Sequence, residues 1–130
     1  MNPDKRYLRA LEAFIEFHEA ISETRLRQLK SMRTEKKRGA YESTGEWRTK
    51  RKLCLQAVDS KCRGCGGSRN VDVHHNTYDN YCIEYFADLV VLCDGCHDAF
   101  HQKISAFHRD VIEFPSQTIN RHEIAEKLHK

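Results

Sequence analysis

The 130-residue chain holds six cysteines, eight histidines and two prolines, with 39% hydrophobic and 32% charged residues, a composition that suits one domain with a modest core. No run approaches the roughly 18 apolar residues of a membrane helix. The charged start MNPDKRYLRA lacks the apolar segment of a secretory signal, so the expectation is a cytoplasmic protein with no membrane partner. The net charge of +3 divides unevenly, with 14 Lys/Arg against 8 Asp/Glu up to Leu53 and 8 against 11 beyond it.

In chain order, residues 4–38 read as one long helix, free of Gly and Pro after Pro3. Leu8, Leu11, Phe14, Ile15, Ile21, Leu29 and Met32 recur on one stripe of it. The basic surplus gathers in Arg25, Arg27, Lys30, Arg33, Lys36, Lys37 and Arg38, a pattern that neutralises phosphates as well as solvating a helix face. Such a helix, forming a segment over residues 1–40, can pack on the domain, project as an arm or pair two chains as a homodimer. Gly39 marks its end. After a linker over 39–45, Thr44 is placed to cap a second helix, which carries Trp47, Arg48, Lys50, Arg51, Lys52, Leu53, Leu55 and Val58 and ends before Lys61.

Two short β-like runs follow. Val71 and Val73 alternate with polar neighbours, and Leu89-Val90-Val91-Leu92 runs directly into Cys93. A helix is expected from Asp94 to about His108, and a short last one over 119–129 after Pro115. The fold class is therefore α+β, with a central domain over 41–108 and a tail over 109–130.

Cys62-Arg-Gly-Cys65 and Cys93-Asp-Gly-Cys96 are two CxxC turns separated by 27 residues. Zinc takes four thiolates in a tetrahedron at about 2.3 Å, and two intervening residues let one turn aim both sulfurs at one ion. Cysteines kept reduced inside a cell read this way sooner than as disulfides. A structural zinc ion on Cys62, Cys65, Cys93 and Cys96 is the expectation, with Cys54 and Cys82 as bystander thiols. His97 and His101 lie four apart on a helix and can share a metal. His74 and His75 are adjacent on an extended run, where neighbours point to opposite faces, so one can face a metal and the other a substrate. His18, His108, His122 and His129 lie on the outer helices.

The order CxxC, VDVHHNTY, DLVVLCDGCH and His101 resembles the HNH endonucleases, from about Tyr41 to His101. That resemblance implies a ββα-metal core and a metal-dependent DNA endonuclease, acting on double-stranded DNA. By position, His75 corresponds to the general base and His74 to the first ligand of a catalytic divalent ion (Mg²⁺, Mn²⁺ or another). His97 and His101 correspond to its remaining ligands. Asp88 stands where the family has its middle Asn, and is the candidate for orienting His75 or pinning its loop. Arg48, Lys50, Arg51 and Lys52 are then candidates for gripping flanking phosphates. Two other readings compete: a non-catalytic zinc-knuckle module that binds nucleic acid, and an interaction scaffold built on the first helix.

Overall fold

A computed structural model of the chain describes residues 2–34 and 37–102, the last three as backbone only. The side chain of His101, Lys36, the continuation of the last helix to His108 and the tail over 109–130 lie outside the described residues. Among the described residues the fold is α+β, with five α-helices and a two-stranded antiparallel sheet. No described helix is long and apolar enough to cross a membrane.

Helix α1 spans Pro3–Glu19, with Asn2 Oδ1 accepting the Asp4 N–H at 2.7 Å and Pro3 at its first position, where a missing N–H costs nothing. Leu8, Leu11 and Phe14 form its buried face. The expected single helix to Arg38 is broken. Ser22 leaves the helical conformation for an extended one and its Oγ accepts the Arg25 N–H at 3.1 Å, so α2 (Glu23–Lys30) starts afresh. A serine side chain offers the backbone this alternative to continued helix. A 3₁₀ turn over Ser31–Arg33 and a short α3 (Arg38–Glu42) follow, so Gly39 lies inside a helix and does not end one. Helix α4, Gly45–Ala57, is capped by Thr44, whose Oγ1 accepts the Trp47 N–H at 3.2 Å.

The apolar stripe of α1 is used within the chain: α1 packs along α4, and Phe14 and Tyr7 meet Phe86 edge-on at 5.5 and 5.6 Å. Arg25 reaches from α2 to the start of α4 and donates to both oxygens of Glu46, at 2.9 and 2.7 Å. This two-pronged pairing raises the Arg25 pKa and lowers that of Glu46.

Strands β1 (Val71–His75) and β2 (Leu89–Cys93) pair antiparallel, His74 opposite Val90 and His75 opposite Leu89. Leu89, Val90, Val91 and Leu92 are all buried, because the sheet is covered on both faces, by α4 and by α5 (Asp94–Gln102). That two-sided burial is why β2 reads as an unbroken apolar run rather than an alternating one. The loop between the strands is closed at its base by the Asn76 N–H on the Asp88 carbonyl at 2.7 Å.

Candidate metal centre and histidine site

The hairpin brings the two cysteine turns together. The first is tied to β2 by the Arg63 N–H on the Val91 carbonyl at 2.8 Å. Cys93 ends β2 and Cys96 lies in the first turn of α5. The ligand atoms of Cys62, Cys65, Cys93 and Cys96 all lie within 4.8 Å of one another, with Cys65 and Cys93 Sγ 3.8 Å apart. Four sulfurs at about 2.3 Å from a central zinc ion form a tetrahedron with edges of about 3.8 Å, so the set fits zinc in both donor type and size.

The backbone is already arranged around thiolates. The N–H groups of Gly64 and Cys65 point at Cys62 Sγ (3.2 and 3.5 Å), that of Gly67 at Cys65 Sγ (3.4 Å) and that of Cys96 at Cys93 Sγ (3.4 Å). A Cβ at Gly67 would sit 3.3 Å from Cys65 Sγ, and Gly66 has φ +77°, so glycines make the close turn possible. Burial opposes ionisation of Cys62, but surrounding backbone N–H groups outweigh it and bring its pKa down to about 6. Burial and the neighbouring thiols push Cys96 up instead, since adjacent thiolates repel unless a cation lies between them. Cys54 and Cys82 are buried away from this group.

His74 and His75 point to opposite faces of β1, as alternation requires. On one face the His74 ring stacks on His97 of α5, centroids 3.7 Å apart and planes within 15°. His74 Nε2 is buried and has no hydrogen-bond partner among the described residues. Burial, reinforced by His97, lowers the His74 pKa, which favours the neutral imidazole that ligates metals. The orphaned ring nitrogen offers one free donor atom; the stacked imidazoles aim their in-plane lone pairs along separate, near-parallel planes, so sharing one ion requires the rings to turn. His101 belongs to α5 four residues after His97.

On the other face, His75 lies between Trp47 (5.2 Å, 14°) and Tyr78 (4.9 Å, 21°), with Tyr81 edge-on at 5.1 Å. Its side chain is 8% exposed, and its Nε2 meets Glu84 Oε2 at 2.6 Å. Glu84 is fully buried. Tyr41 donates its hydroxyl to Oε1, and Lys50 Nζ lies 3.6 Å from that oxygen while donating to the Glu84 carbonyl at 2.8 Å. Burial opposes the Glu84 carboxylate, but His75, Tyr41 and Lys50 outweigh it and hold its pKa below the usual range. Burial likewise pulls Lys50 below its ordinary value, with Glu84 opposing that pull.

Two expectations are thereby corrected. Lys50 is no phosphate grip: it is fully buried against Glu84, because it occupies the inner stripe of α4 with Trp47, Cys54 and Ala57. The carboxylate on His75 belongs to Glu84 and not to Asp88. Asp88 instead accepts the Tyr85 N–H at 2.8 Å and the Asn80 amide at 3.1 Å, which pins the loop carrying Glu84. Arg48 and Lys52 are exposed on α4, while Arg51 bonds Asp72 at 2.8 Å on the surface.

Sequence reasoning missed Glu84, Tyr41 and the place of Trp47 over His75. A signal existed for Lys50, whose three- and four-residue offsets from Trp47 and Cys54 mark it as inward-facing. For Glu84 the only hint is that it is, with Asp88, one of two acids in the apolar stretch YCIEYFADLVVL. No family model, curated protein or solved structure matches the chain.

Proposed function

We propose that the chain is a metal-dependent DNA endonuclease of the HNH type, with β1, β2 and α5 as its ββα-metal core. The observation that carries this reading is the hairpin-and-helix unit, which stacks His74 on His97 and holds His75 on the adjacent strand position, beside a four-cysteine zinc frame. A divalent ion on His74, His97 and His101 would supply Lewis-acid stabilisation of the scissile phosphate and its leaving 3′ oxygen. His75 takes the proton of the attacking water, a task suited to imidazole near neutral pH. The cysteine frame fixes the relation of β2 to α5, and therefore of His74 to His97. Arg48, Arg51 and Lys52 hold flanking phosphates from the outer face of α4, Arg51 by exchanging its surface partner Asp72.

A second reading has one observation in its favour. The 8% exposure of the His75 side chain suits an imidazole that only supports the core of a non-catalytic zinc-knuckle module binding nucleic acid. Metal content and cutting separate the two. The nuclease binds a second divalent ion that His74→Ala removes while one zinc per chain remains, and it nicks or linearises supercoiled plasmid with Mg²⁺, Mn²⁺ or another divalent ion. The module holds one zinc and cuts nothing. Under either reading, replacing Arg48 and Lys52 together with Ala weakens DNA binding and flattens its salt dependence by about one unit of slope per lost phosphate contact, measurable by titrations across salt concentrations. An unchanged slope removes α4 from the interface.

A further inference from the structure

Glu84 and Lys50 form a fully buried ion pair inside a chain of modest core. Such a pair is a poor stabiliser, since desolvating two charges cancels most of their attraction and apolar residues of similar volume do as well. The pair does have one geometric consequence. It sets a fully buried negative charge against His75 Nε2 at 2.6 Å.

We propose that Glu84 is the positioning residue of His75, holding the imidazole with its proton on Nε2 and leaving Nδ1 as the nitrogen that accepts a proton. The use of that nitrogen rests on the nuclease reading above; the choice of nitrogen rests on geometry. A carboxylate only accepts, so a 2.6 Å contact requires a hydrogen on Nε2. A neutral imidazole carries one such hydrogen, and Nδ1 then has the lone pair. The ring cannot escape by turning over, because a turned ring would offer the carboxylate a carbon. Its plane is also clamped between Trp47 and Tyr78.

The other groups keep Glu84 in this role. Tyr41 donates to Oε1, which leaves Oε2 for His75. Lys50 neutralises the carboxylate from α4 and holds the Glu84 backbone through its carbonyl. Asp88 fixes the next residue by accepting the Tyr85 N–H. Asp88 thus acts on His75 at one remove, through the loop that presents Glu84.

Glu84→Gln has a definite consequence in this setting. With the Tyr41 hydroxyl donating to the side-chain oxygen as it does in the wild type, the amide NH₂ faces His75 and donates to Nε2. The imidazole must then carry its proton on Nδ1, the wrong nitrogen for taking one from water. Pairing the change with Lys50→Met removes the cation that would otherwise be left buried alone, and keeps the variant folded.

The test uses the zinc-loaded full chain. Long-range ¹H–¹⁵N spectra at mildly alkaline pH are expected to show the His75 proton on Nε2 in the wild type and on Nδ1 in Lys50→Met/Glu84→Gln. Plasmid cutting by that variant is expected to lose about 100-fold or more in kcat, with KM for DNA changed less than about threefold, a split that mere loosening of the fold would not produce. A wild-type proton on Nδ1, an unaltered tautomer in the variant, or full kcat with the tautomer inverted overturns the proposal. If the wild type cuts no nucleic acid, the nuclease reading falls, and the spectra alone still decide whether Glu84 sets the tautomer.

Discussion

Replacing Cys93 with Ser, or stripping the wild type with a strong chelator, is expected to abolish cooperative thermal melting or lower its midpoint by on the order of 20 °C. Structural zinc on four thiolates contributes about 10–16 kcal/mol in small zinc-folded units, comparable with the entire net stability of a domain of this size. Cys93 ends β2 and Cys96 lies in the first turn of α5, so a zinc ion on the four cysteines would join the sheet to the helix as well as close its own knuckle. Losing it frees α5 first and separates His97 from His74. The α1–α4 pair, which packs through Leu8, Leu11 and Phe14, is expected to retain helical circular dichroism after the hairpin has loosened. Cys54→Ser and Cys82→Ser serve as controls: both thiols lie outside the cluster, and zinc stoichiometry by mass spectrometry stays at one per chain. Zinc retained at full stoichiometry in Cys93→Ser would contradict the ligand set.

Lys50→Met is expected to destabilise the chain by about 3–5 kcal/mol, because it strands the Glu84 carboxylate, which is fully buried, without its cation. Adding Glu84→Gln restores most of the loss, since neither charge then remains. The penalty has a defined pH dependence. Glu84 has a folded pKa below its ordinary 4.5, so its ionised form contributes stability above about pH 4.5, and that contribution is lost as pH falls through the folded value. Without Lys50 the carboxyl protonates more readily, so the gap between wild type and Lys50→Met narrows as pH drops. Urea titrations at several pH values measure this. A constant gap, or a Lys50→Met variant as stable as the wild type, would show that the pair is not coupled as its 3.6 Å separation implies.

These two predictions draw on different kinds of information. The four-cysteine cluster was legible as spacing alone, because a CxxC turn encodes its geometry locally and the two turns need only a hairpin to meet. The two strands were legible too, from the alternation at Val71 and Val73 and the solid apolar run at Leu89–Leu92, whereas their pairing was implied by the resemblance alone. The opposite orientations of His74 and His75 followed from strand geometry. The break at Ser22 was obscured by an apolar stripe that continues in phase on both sides of it, although a serine followed by Glu23 is an ordinary cap signal. Glu84 was not legible, because its partners come from α3, α4 and β1, up to 43 residues away in sequence. Burial of a charge is a property of the assembled core, and a list of basic residues on α4 could not separate inward Lys50 from outward Arg48 and Lys52 without following the helical period.

In the proposed nuclease, His75 takes a proton from water during phosphodiester cleavage. The most direct test of that role compares wild type with His75→Gln, whose longer side chain keeps an amide near Glu84 and fills more of the slot between Trp47 and Tyr78 than alanine would. Both proteins are checked for zinc content, melting and DNA affinity before supercoiled plasmid is followed over time across a panel of divalent ions. The wild type is expected to nick or linearise the plasmid, and His75→Gln to lose about 10²–10⁴-fold in rate with zinc content and DNA affinity retained. A metal-replete wild type that leaves DNA intact with every ion, or a folded His75→Gln that cuts at the wild-type rate, would contradict that role.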